Sequence, residues 1–367
     1  MGSKLLLAAG GTGGHMFPAQ ALAETLRADG WSVAMITDAR GRRHTGRIPA
    51  DPIFDVEAAS ISPRRPVAAV GGVLKLQRGT RTAKRVLRDW RPDVVAGFGG
   101  YPAFPALRAA QALRVPYVLH EQNTVLGRVN RLFARRAVAV ASGFETLERL
   151  PPRAKHVTTG NPLRAAVLDA VPARYTAPVP DGDIRLLVVG GSLGARIIAE
   201  TVPTAVARLP GELRARLRVV QQTPEGQLEA AREAYAAAGV KAELATFFAD
   251  IQDHLARAHL VVGLAGASSV SEFAAMGLPS VLVPLAIAMD DHQTVNARTL
   301  ERHGAAVILS EAELSPARLA EVLQRRLKDA DWLASAARAA RAQGRPDAAA
   351  RLADLVRAAA GALSQGN

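Results

Sequence analysis

The chain has 367 residues, a formal charge of +13 at pH 7 and no cysteine. This length predicts two domains of ordinary size. The lack of cysteine excludes disulfides and thiolate metal sites, which fits a cytoplasmic protein. No apolar run reaches the roughly 18 residues of a membrane-spanning helix, and residues 1–20 are predicted as a strand and a glycine loop rather than a signal segment. We therefore expect a soluble protein.

The positive charge lies in the first half of the chain. Residues 1–160 contain 24 Lys and Arg against 11 Asp and Glu, whereas residues 161–367 contain 22 of each. This asymmetry predicts an anionic partner, either nucleic acid or the surface of an acidic membrane. An arginine-rich composition with solvated helix faces would explain the charge without any partner.

Part of this charge recurs at helical spacing between residues 67 and 89, a helical pattern interrupted by glycines. The basic residues are Arg78, Arg81, Lys84, Arg85 and Arg88, and the apolar residues ahead of them are Val70, Val73, Leu74 and Leu76. A basic stripe beside an apolar one favours acidic lipid headgroups. Nucleic acid would favour aromatic residues among the charges, and only Trp90 lies near, so we expect no nucleic-acid partner.

Strand and helix patterns alternate along the whole chain. Lys4–Ala9 and Ile184–Val189 are predicted strands that each end in a glycine-rich loop followed by a helix pattern. The other predicted strands are Ser32–Thr37, Ile53–Val56, Asp93–Phe98, Tyr117–His120, Ala137–Ala141, Leu217–Val220, Ala242–Thr246, Leu260–Val262, Ser280–Pro284 and Ala306–Leu309. This alternation predicts an α/β fold of two parallel-sheet units with right-handed crossovers.

A boundary between the two units is marked by Asn161-Pro162 and by the proline-rich segment 171–183. We predict domains at 1–162 and 163–340 and a C-terminal helical tail at 341–367. Asp181-Gly182-Asp183 matches a metal-binding pattern of some glycosyltransferases, but it precedes a strand, so we interpret it as a turn. Asp290-Asp291 lacks a spaced partner for a metal. The sequence therefore predicts neither a metal nor a cofactor.

The first glycine loop is Gly10-Gly11-Thr12-Gly13-Gly14, at a strand-to-helix turn that suits a diphosphate. It lacks the third glycine of a dinucleotide fingerprint and the lysine of a P-loop, although Asp38 keeps a dehydrogenase as an alternative. His15 begins the following helix, whose dipole keeps an imidazole neutral, so His15 is a candidate general base. Glu121, at the end of another strand, is the second candidate.

Further candidate residues follow other strand ends, where open α/β sheets bind their ligands. In the first half these are Gly99, Gly100 and Tyr101, and the run His120-Glu121-Gln122-Asn123. In the second half the segment 263–297 combines a helix start with polar residues, which predicts a nucleotide-sugar pocket. Ala267, Ser268 and Ser269 would meet phosphate, Glu272 the ribose, and Gln293 and Asn296 the sugar hydroxyls. Arg164 and Ser192 would contact the same diphosphate.

Six motifs in this order make the chain similar to the MurG family of peptidoglycan N-acetylglucosaminyltransferases. They are GGTGGHMFPAQALA from Gly10, GFGGYPAFPA from Gly97, HEQNTVLGRVN from His120, GNPLR from Gly160, GGSLGAR from Gly190, and the segment 263–297. The resemblance covers about residues 4–350. It implies the GT-B fold, two Rossmann-like domains facing each other across a cleft with C-terminal helices.

The resemblance also implies substrates and site residues. The donor would be UDP-N-acetylglucosamine (UDP-GlcNAc) and the acceptor lipid I, converted to lipid II at the cytoplasmic face of the cell membrane, with an anionic membrane surface and cell-wall synthesis proteins as partners. Residues implied for donor binding are Thr12, Gly13, Gly14, Asn123, Arg164, Ser192, Phe248, Ala267, Ser268, Ser269, Val270, Ser271, Glu272, Gln293 and Asn296. Those implied for acceptor binding are Gly10, Gly11, Gly99, Gly100 and Tyr101.

Two departures from the family pattern concern the residues beside the donor phosphates, and alternative functions are also open. Leu264 and Ala265 stand where the family commonly has a small polar or basic residue, and Ser269 replaces the usual threonine. Another GT-B transferase or a UDP-GlcNAc epimerase would share the donor site but not the HEQN and GFGGY segments. A basic membrane-binding or nucleic-acid-binding protein without catalysis would leave both glycine loops without a role.

Overall fold

A computed structural model describes residues 2–11, 13–59, 66–286 and 291–361, with the backbone alone at 13, 44, 47, 66–70 and 191–195. The described chain divides into two compact units. Unit 1 comprises residues 1–165 and 346–367, and unit 2 comprises residues 166–345. Each unit is built on its own fully parallel sheet.

Unit 1 alternates strands and helices as the sequence predicts. Its elements are β1 (Lys4–Ala8), α1 (Gly13–Ala28), β2 (Ser32–Thr37), β3 (Ile53–Asp55), α2 (Pro66–Trp90), β4 (Val94–Gly97), α3 (Gly100–Leu113), β5 (Tyr117–Glu121), α4 (Arg128–Phe133), β6 (Ala139–Ser142) and β7 (His156–Thr158). The seven strands lie in the order β3-β2-β1-β4-β5-β6-β7. The order reverses direction between β1 and β4, so their carboxyl ends form a topological switch point, where such sheets bind ligands.

Both faces of this sheet are covered. Leu5 and Leu7 of β1 belong to one buried cluster, and Leu6 and Ala8 to another on the opposite face. All four side chains are fully buried because successive residues of a strand face opposite sides. Helix α1 supplies residues to the first cluster, whereas α2, α3 and α4 supply the second.

The last helix, α14 (Ala348–Gly361), belongs to unit 1. Leu352, Ala353 and Val356 recur at helical spacing and join the cluster formed by α1, and Arg357 forms an ion pair with Asp29 at the end of α1. The sequence prediction treated residues 341–367 as a separate tail. The structure differs, because the apolar face of α14 is buried against the sheet of unit 1.

Unit 2 repeats the same architecture. Its elements are α5 (Ala165–Asp169), β8 (Ile184–Val189), α6 (Gly191–Ala207), α7 (Gly211–Arg216), β9 (Leu217–Gln222), α8 (Leu228–Ala237), β10 (Lys241–Ala245), α9 (Ile251–Arg257), β11 (Leu260–Leu264), α10 (Ala267–Met276), β12 (Ser280–Val283), α11 (His292–Glu301), β13 (Ala306–Ile308), α12 (Pro316–Leu327) and α13 (Ala330–Gln343). The strand order is β10-β9-β8-β11-β12-β13. Its switch point lies between β8 and β11, the two strands followed by glycine-containing turns.

Two sequence predictions need correction. The predicted glycine interruptions between residues 67 and 89 do not break α2, which runs without a gap from Pro66 to Trp90. Gly79 instead lets the helix approach the segment after β3, since a Cβ there would lie 2.1 Å from the carbonyl oxygen of Glu57. The edge strand β7 was missed, because three partly exposed residues give too short a pattern. Asp181-Gly182-Asp183 lies in a turn, as predicted.

Candidate functional site

The first glycine loop lies at the switch point of unit 1. A Cβ on Gly10 would lie 2.7 Å from the Cβ of Pro102 and 2.9 Å from Oδ1 of Asp38, so only glycine fits between them. Gly11 has φ +90°, a conformation that favours glycine. Thr12 lies outside the described residues, and of Gly13 only the backbone is described. Gly14 lies in the first turn of α1, whose N-terminal N–H groups favour an anion.

His15 lies in the same turn and is partly exposed. Its Nδ1 lies 2.9 Å from Oε1 of Gln122, a residue 107 positions further along the chain. The second predicted loop approaches from β4, because a Cβ on Gly100 would lie 3.7 Å from Cδ2 of His15. The structure therefore brings His15 next to the loops that follow β1, β4 and β5, three neighbouring strands.

The loop after β4 turns sharply into α3. Gly99 and Gly100 have φ +81° and +71°, and a Cβ on Gly99 would lie 3.1 Å from Nδ2 of Asn130. Tyr101 follows in the first turn of α3 and is partly buried against the cluster on that face. This geometry leaves backbone, rather than side chains, facing the space beside His15.

Glu121 is buried and surrounded by N–H donors. Its Oε1 accepts hydrogen bonds from the backbone N–H and from Nδ2 of Asn123, each at 3.2 Å. Its Oε2 accepts from the N–H of Gly127 at 2.9 Å and from Nδ2 of Asn130 at 3.0 Å. Four N–H donors therefore occupy its two oxygens. Glu121 thus holds the loop 121–130 in shape, and Asn123 is part of that arrangement.

Gln122 was a candidate from the sequence only as part of the HEQN run, with no role of its own. It is buried, and its Nε2 donates to the carbonyl oxygen of Phe98 at 3.2 Å. The same Nε2 lies 3.1 Å from Nδ1 of His120, whose Nε2 donates to the carbonyl oxygen of Gly160 at 3.1 Å. Its position in the HEQN run was the only sequence signal, and a partner at a distance of 107 residues cannot be read from spacing.

The segment after β7 is bound to the same network. Nδ2 of Asn161 donates to the carbonyl oxygen of Gln122 at 2.9 Å. Three residues later, the guanidinium carbon of Arg164 lies 4.7 Å from the centre of the Phe17 ring, a cation–π contact. Phe17 lies in α1, so Arg164 is placed near the helix that carries His15.

Burial changes the proton affinity of His120. Its side chain is fully enclosed, and loss of hydration lowers its pKa from 6.5 to about 4, opposed in part by the hydrogen bond to Gly160 and aided by His15 nearby. His120 is therefore neutral at physiological pH.

Asp38, the residue that kept a dehydrogenase as an alternative, is also buried, and it accepts from the N–H of Gly41 at 2.9 Å. This contact turns the carboxylate toward its own loop.

In unit 2 two helices begin at the switch point. α6 starts after β8 and α10 after β11, and these strands pair directly, with Val189 opposite Gly263. The residues before them, Gly190 and Gly266, provide no side-chain cap. The first N–H groups of both helices therefore point out of neighbouring strand ends, an arrangement that suits a diphosphate. The side chain of Ser192 is outside the described part of the chain.

Helix α10 presents its polar residues on one side. Ser268, Ser269, Ser271 and Glu272 are partly exposed, whereas Ala267 and Val270 are buried. Glu272 lies one turn beyond Ser268, on the same face of the helix. Leu264 and Ala265, the positions that depart from the family pattern, are both buried. These two positions therefore present no polar side chain to a ligand at the start of α10.

Two predicted sugar ligands have other partners. Oε1 of Gln293 accepts from the N–H of Leu285 at 3.0 Å. Asn296 is fully buried, and its Nδ2 donates to the carbonyl oxygen of Ala265 at 3.2 Å. Because it has no exposed surface, Asn296 supports the turn before α10 instead of facing a ligand. The helical period put Gln293 and Asn296 on one face but could not show which side of α11 faces the interior.

The loop 247–250 carries Phe248, one of the residues implied for donor binding. The ring of Phe248 is buried and packs edge-on against His254, with ring centres 4.9 Å apart, while Phe247 is 66% exposed. This packing fixes the backbone at 248. Within the described residues no group of three or more histidine, aspartate or glutamate side chains is arranged to hold a metal. Asp290 lies outside those residues.

Models of known protein families match most of the chain. Residues 5–142 match the glycosyltransferase family 28 N-terminal domain, and residues 185–352 match the family 28 C-terminal domain. A relative from Maricaulis maris is 52% identical over 355 residues, which cover 96% of both chains. It is named UDP-N-acetylglucosamine–N-acetylmuramyl-(pentapeptide) pyrophosphoryl-undecaprenol N-acetylglucosamine transferase.

Two solved structures share the fold at different levels of sequence identity. The crystal structure of Acinetobacter baumannii MurG is 32% identical, with a TM-score of 0.79 over 97% of this chain and 99% of that one. A UDP-GlcNAc 2-epimerase from Neisseria meningitidis, bound to UDP-GlcNAc, has a TM-score of 0.67 but only 12% identity, over 97% of this chain and all of that one. The epimerase therefore shares the architecture, and the likeness in sequence is to transferases.

Proposed function

The chain belongs to the MurG family of family 28 glycosyltransferases, and we propose that it transfers N-acetylglucosamine from UDP-GlcNAc to lipid I, forming lipid II. The observation that supports this most directly is 52% identity over 96% of both chains to a transferase with that name. An epimerase would explain the fold but not that identity. The peptidoglycan precursor is thus the substrate class.

Unit 1 supplies the base in this proposal. His15 hydrogen-bonds through Nδ1 to Gln122, which leaves Nε2 to accept the proton of the acceptor's 4-hydroxyl. As it loses its proton, the oxygen of the 4-hydroxyl attacks the anomeric carbon of the donor sugar. The bond from that carbon to the UDP oxygen breaks in the same step, which inverts the anomeric carbon and gives a β-1,4 linkage. Glu121 is the weaker candidate, because four N–H donors already occupy its oxygens.

Unit 2 stabilises the leaving group. Negative charge develops on the UDP diphosphate as the bond breaks, and the N-termini of α6 and α10 present N–H groups to such charge. In this proposal Glu272, which is partly exposed on α10, accepts from the ribose hydroxyls. We retain Gln293 as a donor-binding residue, and its side chain is held by the N–H of Leu285. Asn296 is buried, so we assign it a supporting role.

The test is UDP release from UDP-GlcNAc with and without a short-chain lipid I analogue, in the presence of a chelator. We expect release only with the acceptor, and a linkage product that contains both sugars. His15→Ala should lower kcat by roughly 100-fold or more, with the affinity for UDP nearly unchanged. Lys155→Ala, a surface change away from both switch points, is the control. Hydrolysis of UDP-GlcNAc or its epimerisation without any acceptor would refute the transferase proposal.

We also propose that the protein is peripheral on the cytoplasmic face of the membrane and rests there through α2. No helix in the described ranges is long and apolar enough to cross a bilayer. On α2, Val73 and Leu74 are 41% and 49% exposed, and Arg78, Arg81, Arg85 and Arg88 are exposed beside them. Between α2 and α3 lies a groove of about 450 Å³, whose lining includes Leu76, Phe104, Arg81, Lys84 and Arg108. Apolar surface with cations suits acidic headgroups.

Vesicle sedimentation tests this placement. Vesicles with acidic phospholipid should bind the protein more strongly than neutral vesicles, and the difference should shrink at high salt. Arg85→Glu/Arg88→Glu should weaken binding about 10-fold or more, at roughly 1 kcal/mol per charge. Arg208→Glu/Arg338→Glu in unit 2 makes the same charge change and should bind like the wild type. Equal loss in both variants would show that net charge, and not α2, governs binding.

A further inference from the structure

The side-chain amide of Gln122 has a defined orientation. Its Nε2 lies within hydrogen-bond distance of three groups, the carbonyl oxygens of Phe98 (3.2 Å) and His120 (3.3 Å) and the ring nitrogen Nδ1 of His120 (3.1 Å). Carbonyl oxygens only accept hydrogen bonds, so the end that faces them must be the NH₂ group. The other end, Oε1, therefore faces His15.

This orientation fixes the protons on both histidines. Oε1 of Gln122 accepts only, so His15 carries its proton on Nδ1, at 2.9 Å, and keeps a lone pair on Nε2. On the far side, Nε2 of His120 faces the carbonyl oxygen of Gly160 and must donate, so its Nδ1 accepts from Gln122. All the hydrogen bonds from His15 to Gly160 thus run in one direction.

We propose that Gln122 is the positioning residue that sets the tautomer of His15, with His120 holding the amide in place. This inference rests on the proposed role of His15 as the base. An imidazole can act as a base only through a nitrogen that has a lone pair, so the reaction needs the Nδ1–H tautomer for Nε2 to accept a proton. Free to rotate, the ring would present either nitrogen.

A neutral amide at this position has a consequence that a carboxylate would not have. A carboxylate within about 4–6 Å would stabilise the protonated imidazole and raise its pKa. Gln122 fixes the tautomer without adding that charge. His120 is buried and neutral, and it adds no charge to the network either.

Other titratable groups lie near the carboxyl ends of the strands around His15, and they remain unchanged in the variants below. They are Asp38 after β2, Tyr101 at the start of α3, His120 and Glu121 on β5, and Arg164 after β7. A difference between wild type and a Gln122 variant therefore measures the change at residue 122.

Two variants and a matched control test the proposal. Gln122→Glu keeps the size and the oxygen that faces His15, but it adds a charge and replaces the NH₂ donor with an oxygen that faces the carbonyls of Phe98 and His120. Gln122→Met keeps the length and removes both the acceptor and the donor. Gln20→Met makes the same replacement on α1, where Gln20 donates only to Glu24 on its own helix. The readouts are ¹⁵N NMR of labelled histidine, which gives the tautomer and pKa of His15 without substrates, and the pH profile of kcat/KM with a lipid I analogue.

In the wild type we expect the His15 proton on Nδ1. Gln122→Glu should move the acid limb of the kcat/KM profile to higher pH, because a carboxylate beside the imidazole stabilises its protonated form. Gln122→Met should shift the proton toward Nε2 and lower kcat by about 10-fold or more at every pH, with KM for UDP-GlcNAc within about twofold. Gln20→Met should match the wild type.

A merely structural role for Gln122 would give a different result. In that case Gln122→Glu would leave the acid limb of the kcat/KM profile in place, and Gln122→Met would keep the proton on Nδ1; either result overturns the proposal. If Gln122→Met does not fold, the pKa and the acid limb of the nearly isosteric Gln122→Glu decide alone. A wild-type enzyme with the Nδ1–H tautomer and no transfer to the lipid I analogue would refute the proposed function, while the spectra would still report on Gln122.

Discussion

Acid should destabilise unit 1 through His120, and His120→Gln should remove much of that effect. The pKa of His120 falls from 6.5 to about 4 on folding because its ring is buried. A lowered pKa means that the unfolded chain binds a proton more readily than the folded one. Stability from this group is therefore complete above pH 6.5 and is lost as the pH falls from 6.5 toward 4. Glutamine does not titrate, and its amide can still donate to the carbonyl of Gly160.

The size of the effect follows from the two pKa values. Between pH 7 and pH 5 the unfolded chain becomes almost fully protonated at this histidine, whereas the folded chain, with a pKa of about 4, stays largely neutral. The linkage relation gives a loss of about 2 kcal/mol in the free energy of unfolding over this interval. The full difference of about 2.5 pKa units corresponds to about 3 kcal/mol, reached only below pH 4.

Tryptophan fluorescence can measure this in unit 1 alone. The chain has three tryptophans, of which Trp31 and Trp90 belong to unit 1 and Trp332 to unit 2. In a Trp332→Phe background, urea unfolding at pH 7 and pH 5 should show a smaller loss of stability in His120→Gln than in its parent, by about 2 kcal/mol. The variant will be less stable at pH 7, so the comparison is between the two pH differences.

An equal loss between pH 7 and pH 5 in both proteins would refute this reasoning. It would mean that His120 is hydrated or that it binds a proton in the folded state without cost. Both ring nitrogens of a protonated His120 would donate, so Nδ1 could no longer accept from Gln122. The orientation inferred for the amide of Gln122 would then be wrong. His156→Gln is the control, since His156 is partly exposed and burial lowers its pKa without enclosing it.

Three further predictions concern single residues at the two switch points. Glu272→Ala should raise KM for UDP-GlcNAc about 10-fold with kcat little changed, because a ribose contact is made equally in ground and transition states; an unchanged KM would exclude the ribose role. Glu121→Gln puts an NH₂ group against N–H donors and should cost about 1–3 kcal/mol of unfolding free energy. The acid limb of its kcat/KM profile should stay in place, and loss of that limb would make Glu121 the base. Gly10→Ala should cost about 1–3 kcal/mol in urea unfolding because its methyl group would overlap Pro102, and wild-type stability would show that the loop shifts freely.

Much of the architecture was predictable from the sequence. β2 and β8 run over the predicted residues, Ser32–Thr37 and Ile184–Val189, because buried parallel strands are continuous apolar runs bounded by turns. The two glycine loops lie at strand ends for the same reason. The short strand β7 and the uninterrupted helix α2 were not predictable, since the first depends on an edge partner and the second on close packing against residue 57.

The candidate site was predicted in its parts and not in its arrangement. Motifs identified His15, the glycine loops and the start of α10, because turns and helix starts have local signatures. They could not separate His15 from Glu121 as the base. The proposed choice of His15 rests on the hydrogen bonds of Glu121 to the loop 121–130 and on the bond of His15 to Gln122.

The sequence by itself determined the family, the two parallel-sheet units and the charge asymmetry, all of which depend on local patterns and composition. Only the tertiary structure decided that α14 packs on unit 1, that Asn296 is buried, and that Gln122 connects His15 to His120. These facts join residues far apart in the chain, 107 positions in the case of His15 and Gln122. Spacing along the chain determines which face of a helix or strand a residue occupies, but only folding determines what that face meets.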